Sequence, residues 1–247
     1  MEFADGGDLQ TKINKLKKTT RYMKEADVWS IFYQMVNGLN ALHAKKIVHR
    51  DIKCANVFLT NKGIVKLGDL NVSKIAKAGI MQTQTGTPYY ASPEVWQDKP
   101  YDKSSDIWSL GAVLYEMIAL NPPFTAKDMK GLYNRVIKGV YPKIPATYSS
   151  DLSAMVAALL KVDPKKRPST EQILHMPVFI AKYNESRGSF GNENPDLIGT
   201  IKVPRNLSLL TDRLPASQYE TDEKPASKPI DLKGLQVIQE DGENDYR

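Results

Sequence analysis

Apolar residues recur every three or four positions through roughly the first 187 residues, and then the pattern stops. The clearest run is 25–44, where Val28, Ile31, Phe32, Met35, Leu39 and Leu42 fall on one stripe. That spacing predicts an amphipathic helix, and Glu25 and Asp27 suit the positive end of its dipole. Residues 105–120 carry Ile107, Leu110, Ala112, Val113, Leu114, Met117 and Ile118, apolar nearly all round, which predicts a buried central helix ended by Asn121-Pro122-Pro123. Shorter helices are expected over 8–16 (after Gly6-Gly7), 127–138, 151–160 and 170–175. Ser169 and Gln172 form a capping box for the last of these, and Pro177 follows its end. Strand-like runs are few: Ile47-Val48, Val57-Phe58-Leu59 and Ile64-Val65-Lys66-Leu67. The last two flank Thr60-Asn61-Lys62-Gly63, a good hairpin turn. The pattern predicts a mainly α domain, a helical bundle with a small β-ribbon, over 1–187.

Residues 188–247 are rich in Asp, Glu, Asn, Ser, Pro and Lys. Such a composition cannot bury enough apolar surface to offset its ordering entropy, so a largely disordered, flexible tail is expected. Within it Ile201, Val203, Leu207, Leu209, Leu210 and Leu214 cluster, either to dock on the domain or a partner, or as stray leucines of a solvated linker.

Composition narrows the classes further. The chain has 247 residues, 41% hydrophobic and 25% charged, with a formal net charge of +6. Its lysines are dispersed, so a nucleic-acid partner is not expected. No run of about eighteen apolar residues occurs, so no membrane span is expected. The start lacks a basic, apolar leader, and the one cysteine, Cys54, excludes an internal disulfide. A cytoplasmic protein is the expectation.

The chemistry concentrates in His49-Arg50-Asp51-Ile52-Lys53-Cys54-Ala55-Asn56. Phosphoryl transfer from ATP requires a carboxylate to orient and deprotonate the attacking hydroxyl, oxygen ligands for Mg²⁺, and positive charge near the moving group. Asp51, Asn56 and Lys53 supply one of each, and Asp69, just past the ribbon, adds a hard carboxylate for a hard cation.

This set resembles the eukaryotic protein kinases over about residues 1–187. Asp69-Leu70-Asn71 matches the metal-binding triplet, and Ser92-Pro93-Glu94 the close of the activation segment. Asp106-Ile107-Trp108-Ser109-Leu110-Gly111 matches the buried helix, and Arg167 lies in Asp163-Pro164-Lys165-Lys166-Arg167-Pro168. The resemblance implies a kinase C-terminal lobe with Asp51 as catalytic base and Asn56 and Asp69 as metal ligands. Lys53 and Thr87 would lie beside the transferred phosphate, implying serine/threonine substrates in proteins. Glu94 and Arg167 would form a buried ion pair, Asp106 would hold the backbone around His49 and Arg50, and His49 would be structural. Residues 1–9 resemble the inter-lobe hinge, which implies that Glu2 and Ala4 meet the adenine of ATP, Asp8 reaches the ribose and Phe58 floors the pocket. The hinge, Phe58 and Tyr89-Tyr90 after Gly86-Thr87-Pro88 are most similar to the NIMA-related kinases, which implies association with microtubules, centrosomes or cilia. Thr83 and Thr85 are expected phosphorylation sites, with Arg50 as partner to the added charge. His43 and His175 end helices and are given no function.

Two departures qualify this. Leu70 and Asn71 replace Phe and Gly of the triplet. No glycine-rich loop, strand lysine or partnering helix glutamate precedes Met1, so the chain alone is expected to bind ATP weakly and turn over little. The alternative is a non-catalytic interaction or decoy module.

Overall fold

The computed structural model describes residues 4–69 and 88–186. Eight α-helices and one two-stranded ribbon are present among them. Helix α1 spans Leu9–Lys18, with Asp8 as N-cap accepting from the Thr11 backbone N–H at 2.7 Å. Helix α2 spans Glu25–Ala44, as the periodicity predicts. Its stripe is buried up to Leu39, with Val28, Phe32, Met35 and Leu39 fully enclosed, and Leu42 at its end is half-buried. Expected locations of Leu70, Asn71 and the tail lie outside the described residues.

Helix α4 (Lys103–Ala119) runs through the core and is buried from Ser105 to Ile118. Its N-terminus closes with a capping box of Asp102 and Ser105. It stops because Leu120 turns left-handed (φ 58°), one residue before Asn121-Pro122-Pro123. Helix α6 (Ser150–Leu159) crosses α4 at Gly111, where a Cβ would stand 2.7 Å from that of Leu159, so the residue must lack one. Helices α5 (Met129–Lys138) and α7 (Thr170–Leu174) lie where the pattern puts them, α7 with the Ser169–Gln172 capping box.

One expectation needs correction, and two helices are present that the pattern does not predict. Ile47-Val48 is not a strand: it pairs with no other segment among the described residues, and Ile47 is exposed. Pro177 does not merely follow a helix but opens another, α8 (Pro177–Ser186). Proline at the first helical position lacks only an N–H that is unpaired there anyway. Residues 93–96, for which the pattern predicts no element, form α3 (Pro93–Trp96), again opened by proline. Helix α8 is held to α2 through Phe179, whose ring meets Phe32 at 5.5 Å edge-on, Tyr33 at 5.4 Å stacked and Trp29 at 6.3 Å.

Strands β1 (Val57–Leu59) and β2 (Val65–Leu67) pair antiparallel, Val57 with Leu67 and Leu59 with Val65. The turn between them uses Gly63 at φ 77°. Gln34 of α2 pins the ribbon, donating to the Gly63 carbonyl at 3.0 Å and accepting from the Val65 N–H at 2.9 Å. On the other edge the segment leading into α1 adds itself to β1. Gly6 N–H donates to Leu59 O, Leu59 N–H donates to Gly7 O, and Asp8 bridges Phe58. The ribbon thereby fixes the entry of α1 and the loops at its own two ends.

Replacing Phe179 with alanine empties the aromatic contact between α2 and α8 and is expected to cost about 3–5 kcal/mol. Urea unfolding followed by tryptophan fluorescence checks this; a loss under about 1 kcal/mol contradicts the packing role assigned to α8.

Candidate active site

The loop between α2 and β1 is shaped by a carboxylate from another helix. Asp106, in the first turn of α4, is fully buried. It accepts from the backbone N–H of His49 at 2.9 Å and of Arg50 at 3.0 Å, and from the Tyr101 hydroxyl at 2.8 Å. The His43 ring Nε2 meets it at 2.8 Å. Arg50 is held left-handed at φ 69°, a conformation costly for a side chain with a Cβ and sustained by the surrounding bonds. Sequence reasoning found the Asp106 tether but not His43 or Tyr101. A buried acid needs several donors, and that requirement was the available signal for them.

Beyond this tether the chain turns outward. Asp51 is part-exposed, and its Oδ2 accepts from Lys53 Nζ at 2.8 Å and Asn56 Nδ2 at 3.0 Å. The same Asn56 nitrogen donates to the Asp51 carbonyl at 2.8 Å. Asn56 closes a 3₁₀ turn, Cys54–Asn56, and is buried. Its carbonyl accepts from Gly68 N–H at 3.0 Å, which brings the end of β2 against the loop. Asp69 follows, exposed and left-handed at φ 57°. Phe58 on β1 covers Gly68 so closely that a Cβ there would lie 2.5 Å from its ring, so the two define one surface beside the loop.

The four residues expected to carry the chemistry, Asp51, Lys53, Asn56 and Asp69, thus belong to one loop and the strand end hydrogen-bonded to it. The Asp8 carboxylate is engaged at α1, its second oxygen accepting from the Thr11 hydroxyl at 2.8 Å. Ala4 is half-buried, its carbonyl meeting Gly7 N–H at 3.4 Å. Glu2, Thr83, Thr85 and Thr87 lie outside the described residues.

Among the described residues no group of three or more His, Cys, Asp or Glu side chains could hold a metal ion alone. Mg²⁺ takes one or two protein oxygens and completes its shell with water and phosphate. Asn56 commits its amide nitrogen to Asp51, which leaves Oδ1 as the amide's oxygen ligand, and Asp69 offers an exposed carboxylate.

His49 is buried against this loop. Burial pushes its pKa down, outweighing the raising influence of Asp106, Asp51 and Asp69. Its Nδ1 accepts from the Asp51 N–H at 3.4 Å, and Nε2 has no hydrogen-bond partner among the described residues. The ring is packed under the loop.

Glu94, on α3, is tied to Arg167 by a two-pronged pair at 2.7 and 2.8 Å. Arg167 also donates to the carbonyls of Lys161, Ser104 and Val162, so all five of its N–H groups are used. Its guanidinium lies 5.0 Å from the centre of the Trp108 ring. Burial would raise the Glu94 pKa, but the Arg167 bonds and charge and the Ser105 hydroxyl at 2.7 Å outweigh it and hold the carboxyl below its usual range.

Residues 1–179 match the protein kinase domain. The chain belongs to the protein kinase family. Among its relatives are serine/threonine-protein kinase Nek4 of Mus musculus, 41% identical over 179 residues (72% of this chain, 22% of the relative), and putative serine/threonine-protein kinase A of Trypanosoma brucei brucei, 42% identical over 183 residues (72% and 42%). Serine/threonine-protein kinase Nek2 of Homo sapiens is 35% identical over 244 residues, 96% of this chain and 51% of the relative, so that likeness continues past Arg187. The Nek relatives put this kinase in the NIMA-related branch. The chain spans about half or less of the length of these curated relatives.

His49 and Glu94 give the kinase lobe a pH dependence of one sign. Both have folded pKa values below their unfolded ones, so their contribution is present at neutral pH and is lost on acidification. His49 begins to weaken the fold below about pH 6.5 and Glu94 below about pH 4.3, their unperturbed values. Urea unfolding from pH 7.5 to 3 is expected to show stability level down to about pH 6.5 and falling below it, and Glu94→Gln to flatten the fall below about pH 4.3. Arg167→Ala strands the Glu94 charge and is expected to cost about 3–5 kcal/mol at pH 7; an unchanged urea midpoint in that variant contradicts the pairing.

Proposed function

We propose that the protein transfers the γ-phosphate of ATP to serine or threonine hydroxyls of protein substrates. The observation that carries this is the Asp51 carboxylate, part-exposed at the end of a loop whose backbone is tethered to a buried acid, and oriented by Lys53 and Asn56. A general base must be accessible to its substrate yet held in one direction, and Asp51 meets both conditions.

In this reading Asp51 accepts the proton of the attacking hydroxyl. The hydroxyl oxygen forms the new bond to the γ-phosphorus, and the bond from that phosphorus to the β–γ bridging oxygen breaks to release ADP. Lys53, already 2.8 Å from Asp51, places its ammonium where it offsets charge on the moving group. Mg²⁺, held by Asn56 and Asp69, would neutralise the phosphate oxygens. Gly6 and Gly7, hydrogen-bonded to β1, set the chain leading into α1 beside Phe58, a half-buried ring suited to one face of an adenine. The serine/threonine preference is supported by the serine/threonine kinases it resembles and by Lys53 in the loop.

Asp51→Asn removes the base but keeps the side chain's size and its acceptor oxygen. In the full-length protein it is expected to lower kcat by about 10²–10⁴-fold with KM for ATP nearly unchanged. A variant that retains wild-type turnover sinks the assignment.

A further inference from the structure

Over the whole chain the lysines are dispersed, but residues 12–24 hold Lys12, Lys15, Lys17, Lys18, Arg21 and Lys24 and no acid. All but Lys17 fall at every third position, from Lys12 to Lys24. On α1 that spacing follows a ridge of the helix surface, with about 4.5 Å of rise between successive lysines. Leu9 and Ile13 face the core, while Lys15, Lys18, Arg21 and Lys24 are exposed and Lys12 is half-buried. None of these five cations forms an ion pair with a described residue. Lys17 donates to Asn121 Oδ1 at 2.6 Å.

Folding does not account for the whole row. Cations suit the C-terminal end of a helix, which explains Lys15, Lys17 and Lys18 in the last turn of α1. Lys12 lies in the other half of that helix, where a cation gains nothing. Lys24 is worse placed. It is the N-cap of α2, makes no capping hydrogen bond and stands at the positive end of that dipole, where Ser, Thr, Asp or Asn would stabilise the helix. Neighbouring like charges also repel. The row calls for an anion that the described fold does not supply.

Its position says what that anion belongs to. Helix α1 packs on the 3₁₀ turn Cys54–Asn56 and on β1. Gln10 in its first turn donates to Glu116 Oε1 at 3.2 Å and accepts from the Tyr90 hydroxyl at 3.4 Å. The row thus borders the loop that carries Asp51, where a substrate hydroxyl must arrive. We propose that Lys12, Lys15, Lys18, Arg21 and Lys24 form a docking surface for an acidic stretch of the protein substrate. In an extended peptide, acids at alternate positions are about 7 Å apart, so three of them match a row about 9 Å long on α1 once the lysine stems spread. That the anion belongs to a substrate rests on the kinase reading above; the charge of the surface does not.

The test uses the full-length protein and two peptide pools. Each has one fixed serine among random neutral residues, with three glutamates or three glutamines at both ends. The glutamate pool is expected to show a kcat/KM about tenfold higher at low salt, the effect of a few exposed charge pairs, and the ratio to shrink as salt is added. Combining Lys15→Gln, Lys18→Gln and Arg21→Gln is expected to bring the two pools within twofold. Changing the same three residues to glutamate is expected to reverse the preference toward a pool ending in lysines, an inversion that a merely structural role would not produce. Equal rates in the wild type, or a preference that survives the triple glutamine variant, overturn the docking surface. If neither pool is phosphorylated, fluorescence anisotropy of the labelled pools reads the surface alone. Tighter binding of the glutamate pool that the triple variant loses overturns the kinase reading and leaves the surface standing, whereas equal binding overturns the surface. A seven-nucleotide single strand, equal in charge to the glutamate pool, that binds tighter than that pool and is released by the triple variant overturns the assignment to an acidic peptide.

Discussion

A carboxylate sealed from water is the constraint from which the active loop follows. Asp106 has no exposed surface, and its desolvation is offset only if several donors converge on it. Two of those donors are consecutive backbone N–H groups, at His49 and Arg50. Both can point at one acid only if the chain makes an unusual bend, and the left-handed Arg50 is that bend. The direction in which Asp51 leaves the loop is therefore decided by a residue more than fifty positions away. Tyr101 remains a donor at any physiological pH, because burial and the Asp106 charge push its phenol well up.

The same helix extends this arrangement to the rest of the site. Along α4, Ser105 holds Glu94, Asp106 holds the loop, and Ser109 and Glu116 hold Tyr90. The helix is apolar where it meets α6 and polar where it meets these segments, yet it is buried on both sides. Its polar residues serve as fixed points for chain with little regular structure of its own, while the aliphatic residues keep the helix in place.

Most of the fold could be read from the sequence because it is periodic. Helix α2 was predicted end to end, since its stripe and its acidic first turn agree. Helix α8 was missed because proline was read as a stop and the ten residues after it are too short for a convincing period. The Ile47-Val48 run was read as a strand on composition, which says nothing about whether an edge is available to pair with. At the site, residue types at fixed spacing singled out Asp51, Asn56 and Asp69 as candidates, but not the residues that support them. His43 ends a helix, which gave it a local explanation, and its contact with Asp106 spans 63 positions. Gln10 and Glu116 are 106 apart. Contacts of that kind leave no trace in local pattern, and only the demand that a buried charge be satisfied hints that partners exist.

Arg167 has no spare valence. Two of its N–H groups go to Glu94 and three to carbonyls of Lys161, Ser104 and Val162. Lysine preserves the positive charge but offers three donors from a single nitrogen. It could keep company with Glu94 and still leave carbonyl oxygens stranded in the interior. For this lobe, swapping one cation for another is a change in the number of bonds made, and a sequence comparison that scores the two as equivalent would misjudge it.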